Sequence, residues 1–369
     1  MIRISAPALD DPLPFCLNFL IVLICGMGEE FFLDYYGAWW TVLIIFVILP
    51  VLDSAVAFED LNPASTDEVE RLGAIQSFRY ITWVWAPIQL GLIVSSLDTA
   101  GTAWAAGELS TFLGVLSSTG IGTGAIGITI AHELIHKNSA FESGLGKLIL
   151  ACCCYGHWHA AHLLGHHKLI GTEADPSTAQ RGESFWRFLW RNTVSEFPLA
   201  VALEQKRLQN KQVGFFSPEN SILSIWALSL LIVAFVYTCF GPVGVAFFLL
   251  QSAIAISLLA AVNYIEHYGL SRSPGEPISG HHSWNSRLTL SNFSLYKLQR
   301  HGDHHLHGKR RYQALSSMPD TPQHPWGYPV MILLALVPPF WFRVMDPLIS
   351  QLSFKNESSA SPSSSRFKS

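Results

Sequence analysis

Charged residues are scarce in this sequence. Only 14% of its 369 residues are Asp, Glu, Lys or Arg, whereas 50% are apolar; a soluble domain usually carries about 25% charge. The formal net charge is −4, from 23 basic and 27 acidic residues. This balance excludes a strongly basic nucleic-acid-binding protein and favours a membrane protein. The first 14 residues contain one Arg and no small-residue cleavage site, so we expect no secretory signal peptide.

Paired cysteines are missing as well. None of the six cysteines belongs to a C-x2-C pair with a second pair downstream, which excludes a fused zinc ribbon or rubredoxin. Most of them lie in apolar runs, where a thiol packs as a small buried side chain. Histidine is abundant by contrast, with 15 residues in a chain of low charge.

Long apolar runs dominate the chain. A helix that crosses a membrane needs about 20 mostly apolar residues, and six segments meet this requirement: 13–33, 37–58, 79–98, 110–132, 221–240 and 242–265. Only Gly241 and Pro242 separate the last two, so we expect a tight antiparallel hairpin there. Two apolar stretches are shorter. We expect 145–155 to form a half-buried helix, and 328–342 to lie at the membrane interface.

The basic residues indicate an orientation. Every Lys and Arg falls at the N-terminus, near 59–79, in 137–220 or after 270. These segments share one side of the membrane if six helices alternate, and the positive-inside rule makes that side cytoplasmic. The sequence therefore predicts an all-α, polytopic protein, placed in the cell inner (plasma) membrane.

The domain organisation is simple. We expect one membrane-embedded domain, 1–355, in which six transmembrane helices carry a helical cytoplasmic cap made of 133–220 and 266–350. The segment 356–369 is Ser-rich and lacks an apolar pattern, so it is predicted to be a disordered tail.

Four histidine clusters stand out. They are HELIH at 132–136, HLLGHH at 162–167, the single His267 in EHYG, and HGDHH at 301–305. Residues four apart share a face of a helix, so each multi-histidine cluster directs two or three imidazoles to one point. The first cluster ends the fourth predicted span, and His267 lies just past the sixth. We therefore expect all four clusters to meet at one membrane face.

Nine imidazoles at one membrane face predict a metal site. Neutral imidazole suits iron, zinc or copper, and nine nitrogens exceed what one ion accepts, so we expect two metal ions. The predicted ligands are His132, His136, His162, His166, His167, His267, His301, His304 and His305. The other histidines are expected at the surface or beside the ligands: His157, His159, His281, His282, His307 and His324.

Acidic and aromatic residues near the clusters are further candidates. Glu133, Asp175, Glu266 and Asp303 are expected to hydrogen-bond to the imidazoles and fix their tautomers; the alternative is solvation at the cytoplasmic surface. Four tryptophans are candidates for lining a substrate channel or, alternatively, for anchoring helices at the membrane interface: Trp39, Trp40, Trp83 and Trp85.

These segments, in this order, resemble the membrane-bound alkane 1-monooxygenases of the fatty acid desaturase-like superfamily. The resemblance covers about residues 35 to 350. It rests on HELIHK (132–137), HLLGHH (162–167), DPST (175–178), GESFWRFL (182–189), NYIEHYGL (263–270), HSWNS (282–286), LQRHGDHH (298–305) and GYPVMILLALVPPFWFRVMDP (327–347).

The resemblance implies a fold, a cofactor and an activity. It implies a six-helix bundle, two non-haem iron ions held by the same nine histidines, and O2-dependent hydroxylation of the terminal methyl of n-alkanes to 1-alkanols. It also implies electrons from a soluble rubredoxin or ferredoxin with its NAD(P)H reductase. The basic run 309–311 is a candidate for docking an acidic carrier or for meeting anionic lipid headgroups.

Some positions depart from the family pattern without touching a predicted ligand. Ala161 and Leu163 replace a Glu and an Asn, Ala174 replaces an acidic residue, and Gly302 and Leu306 replace a Ser and an Ala. These departures change the surroundings of the ligands and therefore bear mainly on the substrate.

Three other functions remain open at this point. A related membrane di-iron hydroxylase or desaturase, acting on a fatty acyl, sterol, terpene or aromatic methyl group, would use the same ligands. A membrane zinc metalloprotease would use HELIH with Glu133 as the base, but it leaves most of the histidines unexplained. A transporter with histidine proton relays should place ionisable residues in mid-membrane. Haem needs only one or two axial ligands.

Overall fold

The computed structural model describes residues 8–19, 37–56, 58–273 and 275–360. Within these ranges the chain is helical, and an isolated β-bridge joins Asn285 and Gln323. The all-α prediction is therefore confirmed for the described residues. The helices are, in chain order, α1 (Gly37–Ala55), α2 (Thr66–Ala74), α3 (Gln76–Ala106), α4 (Leu109–Ile135), α5 (Ala140–Ala151), α6 (158–169), α7 (Phe185–Asn210), α8 (Ser221–His267), α9 (Thr289–Ser294), α10 (His301–Leu306), α11 (Tyr328–Ala335) and α12 (Pro338–Ala360).

Four helices of the described ranges are long and apolar enough to cross a membrane: α1, α3, α4 and α8. The first three correspond to the predicted spans 37–58, 79–98 and 110–132, and α3 is longer than predicted at both ends. Most of the predicted first span, 13–33, lies outside the described residues. The count of six spans therefore stays a prediction.

Helix α8 consists of two limbs that fold back on each other. Gly241 breaks the helix with φ 65° and ψ −164°, a conformation that glycine adopts readily. Ser229 on the first limb donates a hydrogen bond to the carbonyl of Ala151 (3.0 Å), and Gln251 on the second limb donates to the neighbouring carbonyl of Cys152 (3.0 Å). In a straight helix these two residues would lie about 33 Å apart. The limbs 221–240 and 242–267 therefore run side by side, as the hairpin prediction requires.

Helices α11 and α12 form a bent pair at the C-terminal end of the described chain. Tyr328–Ala335 and Pro338–Leu352 are together apolar enough to cross a membrane, but their axes differ by 120°. The break coincides with Pro338 and Pro339, which cannot continue a helix because they lack a backbone N–H. Helix α12 continues to Ala360, into the segment predicted to be disordered, and residues 361–369 lie outside the described part.

Polar side chains cap the N-terminal ends of three helices close to the histidines, α5, α7 and α8. The side chains of Ser139, Ser184 and Asn220 accept hydrogen bonds from backbone N–H groups in the first turns of α5, α7 and α8. Each cap satisfies a donor that has no partner inside its own helix. These hydrogen bonds fix where α5 and α7 start relative to the membrane-spanning helices.

Two helices contain a wide, π-helical segment close to predicted ligands. In α4 it covers Gly122–Ile128, immediately before the turn that carries His132. In α6 it covers Ala161–His166, which includes His162 and His166. The first segment also reads G-x-G-x-x-G, but it lies inside a membrane helix. A dinucleotide loop would connect a strand to a helix, so this match carries no nucleotide site.

Candidate metal centre

The nine predicted ligands come together in two groups. One group contains five histidines and the other four, and within each group one possible ligand atom per residue lies within 4.8 Å of the others. The first group is His132, His136, His162, His167 and His304; the second is His166, His267, His301 and His305. All but His167 are buried. None of the other six histidines belongs to either group, so the structure gathers the same nine residues that the sequence spacing selects.

The distances between ring nitrogens fit metal coordination. The Nε2 atom of His162 lies 2.9 Å from Nε2 of His136 and 3.1 Å from Nε2 of His167. In the second group, Nε2 of His301 lies 2.9 Å from Nε2 of His305 and 3.2 Å from Nε2 of His267. Two nitrogens bound at about 2.1 Å and at right angles to one ion would be separated by about 3.0 Å. The two groups therefore converge as ligand sets do.

Unpaired nitrogens give independent support for a metal site. Nε2 of His132 and Nε2 of His166 are buried and have no hydrogen-bond partner among the described residues. A buried polar atom without a partner costs about 1–3 kcal/mol, and a metal ion in each group would satisfy one of them. The donor set is imidazole, which fits iron, zinc or copper and not magnesium or calcium. The chemistry and the spacing of the two histidine groups therefore suit a metal ion.

Four different parts of the fold supply the ligands. The last turn of α4 carries His132 and ends at His136, and the wide segment of α6 presents His162 and His166. His267 is the last residue of α8. His167 follows in α6, and His301, His304 and His305 lie on the short helix α10. Helix ends at one face of the spans thus bring together side chains that are far apart in sequence.

Burial keeps five of the nine histidines neutral. It lowers the pKa of His162, His301, His304 and His305 well below the usual value for imidazole, and the other imidazoles of the groups lower it further. Burial also lowers the pKa of His167 to about 3. The neutral ring has a free lone pair, so these side chains are in the metal-binding form at neutral pH.

Two of the four predicted carboxylates contact a ligand imidazole. His166 donates from Nδ1 to Asp175 (2.8 Å), which leaves Nε2 free for the metal. Burial acts to raise the pKa of Asp175, but His166 and hydrogen bonds from its surroundings bring this pKa below its usual value. Glu266 lies 3.2 Å from Nε2 of His301 and accepts a hydrogen bond from the hydroxyl of Tyr328 (2.8 Å).

The other two predicted carboxylates bind cations. Glu133 forms a buried ion pair with Lys137 (2.9 Å), and Asp303 pairs with Arg310 (2.7 Å) and His307 (3.0 Å). Their contacts position the chain around the histidines and do not reach a ligand imidazole directly. A backbone group performs the expected orienting role elsewhere, because the carbonyl of His282 lies 3.2 Å from Nδ1 of His267.

An apolar cavity opens onto the metal centre. It lies between α1, α4, the second limb of α8, α6 and α11. At one end lie His132, His162, His301 and Glu266; along its length lie Ile45, Leu49, Ala125, Ile128, Leu258 and Ile332. The cavity follows α4 back from His132 to Gly124, which corresponds to about 12 Å along the helix axis. At Gly124, helices α4 and α8 lie close together, since a Cβ on Gly124 would lie 2.7 Å from Cα of Ala255.

Trp158 is a site residue that the sequence predictions missed. Its ring stacks on His162 with centroids 4.5 Å apart and planes inclined by 27°, and it also lines the cavity. Its position between His157 and His159 was a usable signal, because it precedes His162 by one helical turn.

None of the four tryptophans chosen from the sequence is among the residues that line this cavity. Trp39 donates to Ser110 at the start of α4, about 33 Å along the helix from His132, and Trp40 is its neighbour. Trp83 donates to Glu142 (3.1 Å). Trp85 is fully buried and donates to Gln89 (2.9 Å), where both side chains face Gly127.

Comparison with known proteins agrees with this architecture. The family model described as fatty acid desaturase matches residues 102–329, which contain all nine histidines of the two groups. Alkane 1-monooxygenase 2 of Pseudomonas aeruginosa is 40% identical over 325 residues, which cover 86% of this chain and 85% of the relative.

Two further relatives are less similar to this chain. Alkane 1-monooxygenase of Ectopseudomonas oleovorans is 36% identical, with 85% of this chain and 78% of the relative covered. The hydroxylase component of the xylene/toluene monooxygenase of Pseudomonas putida is 26% identical, with 89% and 86% covered. The chain therefore belongs to the fatty acid desaturase family and, within it, to the membrane alkane 1-monooxygenases.

Proposed function

We propose that this protein hydroxylates the terminal methyl group of n-alkanes to 1-alkanols, using O2 and electrons from a rubredoxin. The observation that carries the proposal is that the apolar cavity meets both histidine groups. A narrow apolar cavity between membrane helices ends at side chains from both histidine groups, His132 and His162 from one and His301 from the other. A hydrocarbon chain that enters such a cavity presents its end to the metal centre.

We further propose that the two groups hold two iron ions, one with five histidines and one with four. Nine nitrogens exceed the coordination of a single ion, and the two groups contain different residues. Bound iron supplies the activation of O2 that an unactivated C–H bond requires. A single zinc ion would leave one of the groups without a function.

The protein's own residues position the substrate and exclude water. Ile45, Leu49 and Leu258 surround the alkyl chain and offer no hydrogen bond to a solvent molecule. Trp158 holds the ring plane of His162 by stacking and forms part of the wall next to the reacting end. Each methylene removed from water contributes about 0.8 kcal/mol, so burial of the chain is enough to bind a substrate that has no polar group.

Electrons must reach the centre from a partner protein. The loop after α10 is the proposed point of entry, because Gly308 lies against two ligands: a Cβ there would be 3.2 Å from His167 and 3.3 Å from His136. Lys137 fixes this loop by donating to the carbonyl groups of Lys309 (3.3 Å) and Arg310 (3.0 Å). A small carrier seated on the loop would therefore be separated from the ligands by one backbone segment.

We also propose that the metal centre faces the cytoplasm of the inner membrane. The basic segments between the spans support this orientation through the positive-inside rule. A soluble NAD(P)H-dependent electron supply is available on that side. The alcohol product would leave at the same face, close to the cap.

The experiment combines metal analysis with turnover. The full chain is purified in detergent, its metals are counted, and conversion of n-octane is followed with O2, a rubredoxin and its reductase. About two irons per chain and 1-octanol as the product are expected. His267→Ala removes one of the four ligands of the second group and should abolish the product.

Other outcomes would contradict parts of the proposal. One zinc per chain and no O2 dependence would replace it with a hydrolase. Two irons without an alkane product, but with hydroxylated xylene or acyl lipid, would keep the metal centre and replace the substrate.

A further inference from the structure

A buried acidic residue outside the metal centre is connected to it by three successive hydrogen bonds. Glu196 lies on α7 with 1% of its surface exposed. It accepts hydrogen bonds from the hydroxyl of Tyr155 (2.7 Å), the hydroxyl of Ser177 (2.8 Å) and the amide of Asn192 (2.9 Å). A carboxylate in this position is not required for packing, because an apolar side chain of similar size would cost less to bury.

The connection continues from Ser177 to a predicted ligand. The backbone N–H of Ser177 donates to Oδ1 of Asp175 (3.1 Å), and Oδ2 of Asp175 accepts from Nδ1 of His166 (2.8 Å). Nε2 of His166, on the opposite side of the ring, belongs to the group of four histidines. Movement of Ser177 would therefore move Asp175 and rotate the His166 ring.

The pKa values of Asp175 and Glu196 are shifted in opposite directions. His166 and nearby hydrogen bonds outweigh the effect of burial on Asp175 and lower its pKa. Burial raises the pKa of Glu196, the negative charge of Asp175 raises it further, and the three donors reverse this effect only in part. The three side chains that donate hydrogen bonds to Glu196, those of Tyr155, Ser177 and Asn192, are neutral. The role of Glu196 is therefore to orient these three hydrogen-bond donors.

We infer that Glu196 is a positioning residue for the four-histidine metal site, acting through Ser177 and Asp175 on His166. This inference rests on the proposed iron centre. By accepting the hydroxyl hydrogen of Ser177 on Oε1, Glu196 fixes the Ser177 side chain and leaves only the Ser177 backbone N–H for Asp175. Together with the hydroxyl of Thr178, which donates to Oδ2 of Asp175 (2.7 Å), this holds the Asp175 carboxylate in the orientation that His166 requires.

The same helix offers a matched control. Glu204 lies two turns further along α7, is equally buried, and binds Arg207 (2.6 Å) and Ser221 (2.8 Å). These contacts hold the start of α8 and contain no connection to a histidine of either group. Glu204→Gln should therefore lower the melting temperature without changing the metal centre.

The test measures how tightly iron is held. Iron-loaded full-length protein, its Glu196→Gln variant and its Glu204→Gln variant are mixed with a ferrous chelator in the absence of O2. Iron release from Glu196→Gln should become biphasic, with one of the two irons leaving about tenfold faster than in the wild type. Mössbauer spectra of the same samples should show a change in one of the two iron signals. Glu204→Gln should match the wild type in both readouts.

A second variant guards against loss of folding. Ser177→Ala keeps the backbone N–H bond to Asp175 but removes the hydroxyl that Glu196 binds, so it should shift release in the same direction by a similar factor. The inference is overturned if Glu196→Gln lowers only the melting temperature, as Glu204→Gln does. If the wild type binds zinc instead of iron, the proposed function fails, but zinc release from the same variants still decides the role of Glu196.

Discussion

The guanidinium of Arg300 forms an ion pair with the carboxylate of Glu59, and both side chains are almost completely buried. Arg300 immediately precedes His301, and it also donates to the backbone carbonyl groups of Leu61 and Leu315. The segment between α1 and α2 is thus attached to the start of α10, which carries three predicted ligands. The metal centre depends on this segment although the segment contains no histidine.

Glu59→Gln should destabilise the protein and its metal centre. The substitution leaves the Arg300 guanidinium buried without a charged partner, which typically costs 3–5 kcal/mol. We expect a lower melting temperature and a lower iron content, measured on protein purified in parallel. Asp60→Asn is the control, because the Asp60–Arg287 pair is partly exposed and worth at most about 1 kcal/mol. Equal effects of the two variants would contradict the special role of Glu59.

Asp175→Asn should weaken metal binding at the four-histidine site. The asparagine side chain retains the size of Asp175 but removes the charge that accepts from Nδ1 of His166. Loss of such a partner usually costs 10–100-fold in metal affinity. Iron titration of the metal-free protein would measure it, with Glu183→Gln, whose partner is Arg191, as the control. An unchanged affinity would show that His166 is held by packing alone.

Ala125→Phe should shorten the range of accepted alkanes. Ala125 lines the apolar cavity two turns from His132, toward its distal end. The larger ring fills space that a long chain needs, whereas a short chain still reaches the metal centre. Differences of this kind in an apolar pocket change kcat/KM by about 10–200-fold. The ratio of activities on dodecane and hexane should fall; a uniform loss on both would indicate misfolding instead.

Lys309→Glu should slow electron delivery without affecting the metal centre. Lys309 is exposed on the loop that contains Gly308, next to His136 and His167. Reversal of its charge should raise the KM for an acidic rubredoxin, and the effect should shrink as the salt concentration rises. Iron content and single turnover with a chemical reductant should stay as in the wild type. Lys211→Glu, on the far end of α7, serves as the control.

Lys297 should make stability depend on pH. Burial lowers the pKa of its ammonium group to about 7, and its one hydrogen bond in the described part is to the carbonyl of Gln313 (3.3 Å). Between pH 7 and the ordinary lysine value of about 10.4 the unfolded chain binds more protons than the folded one, so stability rises with pH there. Lys297→Met should abolish this slope and raise stability at pH 7 by about 1 kcal/mol. Thermal unfolding at several pH values would measure both effects; an unaltered slope would assign it to other groups.

The sequence predicted the helical class and the nine histidines because both depend on local patterns. A span is a run of apolar residues, and histidines such as His132 and His136 are placed on one face by their spacing alone. The identity of the nine as metal ligands stays a prediction, since geometry brings them together without an ion. The hairpin at Gly241 was also readable, because Gly and Pro interrupt the apolar run there.

The contacts around the histidines could not be predicted from local sequence patterns. Glu133 and Asp303 are adjacent to predicted ligands in sequence, yet they pair with Lys137 and Arg310. Glu196 is 30 positions beyond His166 and reaches it through a chain of hydrogen bonds. Such links join residues that only the folded chain makes neighbours. The tryptophans were wrongly chosen as cavity residues for the same reason. Which side chains line the cavity beside α4 depends on how the membrane-spanning helices pack.

The wide turn at Gly122–Ile128 determines the direction in which His132 points. Each residue of an α-helix rotates the chain by about 100°, and a π-helical turn accommodates one residue more than an α-helical turn. If the segment became a regular α-helix of the same length, the extra residue would rotate His132 by about 100°, away from His162, His167 and His304. The angular phase of α4 is therefore part of the metal centre, and a regular α-helix of the same length would lose it.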